Sequence, residues 1–298
     1  MKASIVTPAY NSLGYLKYTL ASLEKQDIDA GEFEVIVVDD GSSDGTADYL
    51  NNYKGKINLN PVINPQNLGR AKSRNIGIQQ SKNELIIFLD SDIEVNPDFV
   101  RLHLEQNKNS GTACVGKVLF HPELKKTRFM KYLDSRGAAK VYKGNEVPGQ
   151  YFRTTNSSVP KDVLLKIGCF DEHFTHYGGE DTEIGMRISR ELKITNLYRA
   201  IGYNRHARNL EDTLNIIKEY GEFSLPHLLK TEPGLAGELK IMKGWREIFY
   251  NVMCSFVFYA PLLLSAKINI APMFVYSYLL VRNYREGYKN FTRKTKRN

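Results

Sequence analysis

The chain has little cysteine. Cys114, Cys169 and Cys254 are its three among 298 residues, scattered with no Cys-x-x-Cys spacing and no histidine-rich neighbourhood. That excludes a disulfide scaffold, argues against zinc and fits a reducing compartment. Internal repeats and low-complexity tracts are missing too, which excludes a repeat architecture. The first apolar segment is followed by Pro8-Ala9-Tyr10-Asn11, where a dinucleotide-binding Rossmann fold would place Gly-x-Gly-x-x-Gly. No Gly-x-x-x-x-Gly-Lys-Ser/Thr occurs, so a P-loop is excluded as well. No secretory leader is expected, because Lys2 to Pro8 already reads as a strand. Long apolar runs are also lacking. Ile248 to Leu264 is broken by Asn251, Ser255 and Pro261, and Ile268 to Val281 by Pro272, so both fall short of the roughly 20 apolar residues a spanning helix needs.

What remains is an ordinary globular composition, 42% hydrophobic and 25% charged, long enough for one large α/β domain or a domain with an appendage. The net charge of +8 and a pI near 9.1 point to an acidic partner: nucleic acid, anionic lipid or a phosphorylated substrate. The basic residues gather at the C-terminus beside apolar segments, which fits lipid better than nucleic acid.

The N-terminal half alternates short aliphatic runs with helical patterns. Ala3 to Thr7 reads as a strand stopped by Pro8, and Leu13, Leu16, Leu20 and Leu23 share one helix face. Phe33 to Val38 is a second buried strand, ending in Asp39-Asp40 and a Gly41-to-Gly45 turn. A third strand near 57–63 leads to a helix opened by Asn67-Leu-Gly69-Arg70. A fourth, Glu84 to Leu89, ends in Asp90-Ser91-Asp92, and Asn96-Pro97 starts the next helix. This rhythm gives an α/β fold with a mainly parallel central sheet and right-handed crossovers. Thr7 to Asn11, Asp39-Asp40 and Asp90 to Asp92 then reach one edge of the sheet, where open α/β sheets bind ligands.

Hard carboxylate oxygens at Asp90 and Asp92 suit Mg²⁺ or Mn²⁺, a cation that commonly joins a protein to a diphosphate; alone, the motif reads equally as an acidic helix-capping turn. Asp39 and Asp40 could accept hydrogen bonds from a base ring N–H or ribose hydroxyls, or could form a plain tight turn. Tyr10 could stack on a base, and Arg70 could meet base or phosphate, or lie with Lys72 and Arg74 on a solvated helix face. Further on, His176-Tyr-Gly178-Gly179-Glu180-Asp181 precedes a helix carrying Ile184 and Ile188. A carboxylate there could serve as a general base, or could simply favour the helix dipole.

Thr7-Pro-Ala-Tyr-Asn11, Val38-Asp-Asp-Gly-Ser42, Asn67-x-Gly-Arg70 with Arg74-Asn75-x-Gly77, and Asp90-Ser-Asp92 occur in an order and spacing that resembles the family 2 glycosyltransferases, closely over roughly the first 120 residues. The resemblance implies a GT-A fold and a nucleoside-diphosphate sugar donor, usually UDP-linked. It also implies a divalent metal, Mn²⁺ or Mg²⁺, on Asp92, and inversion at the anomeric carbon. By the same carry-over Asp40 contacts the base with Asp39 beside it, and Asp90 sits near ribose or metal, next to Ser91. Pro8, Ala9, Tyr10, Asn11, Asn67, Arg70 and Arg74 complete the expected donor site. The family's base lies in the Glu180-Asp181 pair, with the role falling to Asp181 and acceptor hydroxyls to Glu180. Tyr151 to Pro160 is similar to the family segment running under the acceptor, so Asn156 is expected near acceptor, as is Gly179 beside Glu180. Gly178-Gly-Glu-Asp181 also resembles the β-1,4-galactosyltransferases, in which an Arg-His pair supplies a metal ligand. Arg205-His206 fits that place, and His206 is expected to join Asp92 on the metal, though a structural or exposed histidine reads equally well.

The expected organisation is a catalytic domain over 1–209, a connecting helical segment over 210–244 and an apolar and basic helical region over 245–298. In the first, 121–150 reads as a polar connection and Gly111 to Phe120 as a further strand. The last region suits peripheral contact with the inner face of the cell membrane, or packing and homo-oligomer formation. The implied reaction moves a sugar to a hydroxyl of a glycan or lipid-linked saccharide, in the cytoplasm, at the membrane face. Polyprenyl-phosphate glycosyl transfer and a non-catalytic nucleotide-sugar binder stay open as rivals.

Overall fold

The structure, a computed structural model, describes residues 1–136, 145–238 and 256–295. The chain forms two compact units: one from 1–124, 134–175 and 180–206, the other from 125–133, 176–179 and 207–298.

The first unit is built on β1 (Ala3–Ala9), α1 (Leu13–Leu23), β2 (Phe33–Asp39), α2 (Thr46–Asn51), β3 (Leu59–Ile63), α3 (Arg70–Gln80) and β4 (Leu85–Leu89). β5 (Ile93–Val95), α4 (Phe99–Ser110) and β6 (Ala113–Phe120) follow. After α5 (Arg128–Asp134) come β7 (Asn156–Pro160), α6 (Lys161–Lys166), α7 (Glu180–Glu191) and β8 (Ile194–Asn204). The strands form one sheet in the order β3-β2-β1-β4-β7-β6-β8-β5. β1 pairs parallel with β2 and β4, and β2 with β3, as the alternating pattern requires. β7 is antiparallel between β4 and β6, and β5 is antiparallel to β8.

Alternation along the buried strands divides the core. Ile5, Val35, Val37, Leu85, Ile87 and Leu89 face the side covered by Leu16, Leu20 and Leu23 of α1. Val6, Ile36, Val38, Ile86 and Phe88 face the opposite side, with Ala71 and Ile78 of α3 and Ile184 and Ile188 of α7. Each such apolar side chain contributes about 1.5–3 kcal/mol on burial, so helices on both faces explain why apolar residues occupy both faces of these strands.

Three sequence expectations need correction. β1 runs through Pro8 to Ala9; its pairing with β4 ends at Val6, so the missing N–H of Pro8 costs no ladder bond on that side. β5 and β8 were not read from the sequence. β8 alternates irregularly between buried and exposed positions, so its eleven residues lack a clear two-residue period. The 121–150 connection contains α5, and its residues 137–144 lie outside the described residues.

The second unit is helical. Its longer members are α5 up to Leu133, α8 (Leu210–Glu222), α9 (Ser224–Thr231), α10 (Phe256–Lys267) and α11 (Met273–Thr295), with a single turn at Leu235–Glu238. Asn209 caps α8 by accepting from the Glu211 N–H at 2.8 Å. α8 and α11 approach closely at two glycines: a Cβ on Gly221 would strike the Tyr284 carbonyl, and one on Gly287 the Lys218 carbonyl. Phe129, Tyr132, Leu214, Ala266, Ala271, Val275, Tyr276 and Leu279 form its core. Pro272 separates α10 from α11 as its ring requires, whereas Pro261 sits inside α10. The apolar stretch expected from Trp245 to Ser255 and the basic residues Lys296 and Arg297 lie outside the described residues. Among the described residues no helix is long and apolar enough to cross a membrane.

Candidate active site

The carboxyl ends of β1, β2 and β4 bring the expected residues to one edge. Asp39 closes β2, in register with Ala9 of β1 and Ile63 of β3. Its side chain is fully buried; Oδ1 accepts from the Ser42 N–H at 3.2 Å, and Oδ2 has no hydrogen-bond partner among the described residues. Asp40 is different. Its Oδ1 accepts from Asn64 Nδ2 and the Leu68 N–H, and its Oδ2 from the Gly69 N–H, each at 2.9 Å. The Asp40 carboxylate therefore pins the 64–69 loop that starts α3. Gly41, at φ 75°, lies under this loop, and a Cβ there would come within 2.6 Å of the Gln66 backbone. The expected base contact from Asp40 is corrected accordingly: the carboxylate with an open buried oxygen is that of Asp39.

Asn11, at φ 47°, ties the end of β1 to the following turn, accepting from the Ser43 N–H at 2.8 Å while its own N–H donates to Ser42 Oγ at 2.9 Å. Tyr10 beside it is 52% exposed, a ring face open to stacking. Pro8 is half-buried and Ala9 buried. Asn67 and Arg70 are exposed at the start of α3, where Asn67 Oδ1 accepts from the Gly69 N–H at 3.1 Å.

Asp90 and Asp92 diverge. Ser91 between them is buried and fastened to α1 by Ser12 Oγ at 2.9 Å and by Thr19 Oγ1, which donates to its carbonyl at 2.9 Å. These two bonds anchor the Asp90–Asp92 turn beside α1. Asp92 turns towards the end of β8. Its Oδ2 accepts from Asn204 Nδ2 at 3.0 Å and lies 3.9 Å from His206 Nδ1. Tyr15 stacks on the His206 ring with centroids 5.3 Å apart, and Asn204 Oδ1 accepts from the His206 N–H at 2.7 Å. Two donor atoms of one divalent ion, each at about 2.0–2.2 Å, stand at most ~4.4 Å apart. The oxygen and imidazole nitrogen fall inside that span, so Asp92 and His206 fit a Mn²⁺ or Mg²⁺ ion as a pair.

Asp90 turns the other way, to Arg74. Arg74 is 2% exposed; Nη2 donates to Asp90 Oδ1 at 3.1 Å and Nη1 to Glu180 Oε1 at 3.2 Å, with Asp181 Oδ1 at 3.9 Å. This corrects the expectation that Arg74 contacts donor: it is a buried clamp between two carboxylate centres 90 positions apart in the chain. Burial opposes the charge, but Asp181, Asp90 and Glu180 outweigh it and hold the guanidinium above its ordinary value. Burial and the neighbouring Asp181 push the Glu180 carboxyl up, against the pull of Arg74 and Arg70. Its Oε2 has no partner among the described residues.

Gly178 and Gly179, at φ 77° and 97°, turn the chain into the first residue of α7. Asp181 follows, its side chain partly exposed, with Oδ1 accepting from Thr154 Oγ1 at 2.7 Å. Asn156 does not join it. It is buried, with Oδ1 on His103 Nε2 at 3.1 Å and Nδ2 donating to the Lys117 and Ala200 carbonyls at 3.2 and 3.0 Å. It ties β7 to its neighbour β6 and to β8 beyond it, so its expected acceptor contact is also corrected. Thr154, Tyr15 and Asn204 were missed from the sequence; the one available signal was that Asn204 stands two residues before His206.

Comparison with known proteins gives the family. The profile of Glycosyl transferase family 2 matches residues 4–170. The uncharacterized glycosyltransferase YfnE of Bacillus subtilis is 30% identical over 239 residues, covering 63% of this chain and 60% of its own length. The chain therefore spans less than two thirds of this relative. The crystal structure of Staphylococcus aureus TarS in complex with UDP-GlcNAc aligns with a TM-score of 0.59 at 20% identity, covering 99% of this chain and 92% of that one. The mannosyltransferase PcManGT from Pyrobaculum calidifontis, solved in complex with GDP-Man and Mn²⁺, aligns at 0.63 and 15% identity, covering 97% and 87%. These two likenesses establish the fold, GT-A. By its family profile and its sheet, the chain belongs to glycosyl transferase family 2.

Proposed function

We propose that this protein is a metal-dependent inverting glycosyltransferase that moves a sugar from a UDP-linked donor to a hydroxyl of a glycan or lipid-linked saccharide. The observation that carries the reading is the Arg74 clamp, which holds the Asp90 end of one carboxylate motif against Glu180 and Asp181 of the other. A transferase needs these two centres together: one beside the departing diphosphate, the other at the attacking hydroxyl.

In this reading the open Oδ2 of Asp39 accepts the ring N–H of the donor's base, and Tyr10 stacks on the base face. The solved TarS complex with UDP-GlcNAc and PcManGT complex with GDP-Man support a nucleotide-sugar donor in this fold. Asp92 and His206 hold the divalent ion, which when bound supplies positive charge beside the diphosphate. Asn204 orients Asp92, and Tyr15 keeps the His206 ring in place. Asp181 takes the proton from the acceptor hydroxyl as it attacks; Thr154 occupies its Oδ1 and leaves Oδ2 for that proton. Glu180 acts as a positioning residue through Arg74. A base at Asp181 favours a hydroxyl acceptor over an already ionised polyprenyl phosphate.

The test is UDP release from a panel of nucleotide sugars with Mn²⁺, Mg²⁺ or EDTA, for the wild type and Asp92→Ala. The expected result is metal-dependent release from one donor, lost in the variant. Release that is indifferent to EDTA and to Asp92 would overturn the metal reading; no release or binding of any donor would overturn the whole.

A further inference from the structure

The second unit carries an apolar tip that its own core does not cover. α10 and α11 are joined by a short turn in which the Ile270 and Ala271 N–H groups donate to the Ser265 carbonyl at 3.0 and 3.1 Å. One side of this tip is core: Ala266, Ala271, Val275 and Tyr276 pack with Phe129 and Tyr132. The other side is apolar and faces water. Leu264 on α10 and Ile268 just past its end lie four apart, 60% and 57% exposed, and Ile270, Met273 and Phe274 continue the surface, Phe274 reaching 69%. An isolated exposed leucine means little, but five large apolar side chains within eleven residues form a patch that a soluble surface does not ordinarily keep open.

A basic collar adjoins the patch. The Arg128 N–H donates to Asn269 Oδ1 at 2.7 Å and Arg128 Nη1 to the Ile270 carbonyl at 2.8 Å, so the 125–131 segment is tied to the turn. Lys125, Arg128 and Lys131 on that segment are exposed. Lys125 and Lys131 form no ion pair among the described residues. Lys267 lies within the tip, paired at 3.2 Å with Glu211, the acidic group that meets it. Aliphatic and aromatic side chains beside unpaired cations complement hydrocarbon beneath anionic headgroups. A second copy of the chain would set the same cations against one another, which disfavours self-association through this face.

We propose that the α10–α11 tip, with the Lys125–Lys131 collar, docks on an anionic lipid surface. The docking is in-plane: Leu264, Ile268, Ile270, Met273 and Phe274 enter the acyl boundary, and the lysines meet the headgroup charge. The proposal rests on the second unit alone and stands apart from the roles assigned at the catalytic residues.

The experiment is co-sedimentation of the full chain with phosphatidylcholine vesicles and with vesicles that also contain phosphatidylglycerol. Circular dichroism and the thermal midpoint verify folding of each variant. The wild type is expected to pellet with the anionic vesicles and weakly with the neutral ones. Ile268→Ser with Phe274→Ser is expected to weaken that binding about tenfold or more. Lys125→Gln with Lys131→Gln should weaken it roughly fivefold per lysine on anionic vesicles and leave neutral vesicles unaffected. Wild-type protein that stays in the supernatant with both vesicle types would overturn the proposal. So would folded apolar variants that bind like the wild type, or a dimer that Ile268→Ser with Phe274→Ser splits while vesicle binding stays absent.

Discussion

Replacing Arg74 by glutamine should damage the protein in a way that depends on pH. The guanidinium is buried and donates at 3.1 Å to Asp90 and 3.2 Å to Glu180, with Asp181 at 3.9 Å. Removing one partner of a buried ion pair costs about 3–5 kcal/mol, because the other charges stay behind unpaired. Here the remaining carboxylates can escape by binding a proton. Glu180, already pushed up by burial and by Asp181, takes it most easily. That puts the neutral-pH loss at the low end, about 3 kcal/mol, and makes it shrink as the solution supplies protons. Arg74→Lys restores a charge but not a fork that reaches both sides, so it should fall between wild type and Arg74→Gln. The assay is urea unfolding of all three proteins at neutral pH and again near 4.5, the ordinary glutamate value. A loss below about 1 kcal/mol at neutral pH, or an equal loss at both pH values, would refute the clamp.

Other consequences are smaller but distinct. Asp40→Asn turns an amide towards the Gly69 N–H, and is expected to cost about 1–3 kcal/mol of stability by urea titration while leaving metal-dependent donor specificity unchanged. His103 is fully buried, and burial holds its imidazole down to about 4 despite the hydrogen bond with Asn156. Its folded value lies below its unfolded 6.5, so the stability it gives is complete above 6.5 and is lost as pH falls towards 4. The gap of roughly 2.5 pH units amounts to about 3 kcal/mol; His103→Gln should flatten that part of the pH–stability curve. Gly221→Leu cannot fit against the Tyr284 carbonyl, so the α8–α11 pair should loosen, seen as accelerated amide exchange along both helices.

Much of the first unit was legible because its strands obey a simple rule. Val35 to Val38 and Leu85 to Leu89 are apolar throughout because helices cover both faces, and the leucines from Leu13 to Leu23 mark one of those helices. β8 was hidden for the converse reason: its buried residues Ile194, Leu197 and Ala200 recur three apart, and no clean two-residue period survives. α5 was hidden in a basic stretch whose buried residues, Phe129 and Tyr132, find partners more than 80 positions away. At the site, residue types announced the chemistry but not the division of labour. Asp39 and Asp40 are chemically identical neighbours, and only the three donors from Asn64, Leu68 and Gly69 decide which is occupied. Arg74 was expected at the donor but lies between Asp90 and Glu180, and Asn156 was expected near the acceptor but bonds to β6 and β8. Asp92 and His206, expected on one metal from motifs 114 positions apart, lie 3.9 Å from each other.

The central claim is that the crevice at the ends of β1, β2 and β4 binds a nucleoside diphosphate through the open oxygen of Asp39. Calorimetric titration of UDP, with Mn²⁺ and with EDTA, tests it directly for the wild type and Asp39→Asn. Loss of a hydrogen bond to a charged group is worth about 1.5–3 kcal/mol, or roughly 10–100-fold in affinity. The account predicts Mn²⁺-dependent binding weakened by that factor in Asp39→Asn. Binding of UDP that is indifferent to Asp39, or no binding with or without metal, would contradict it.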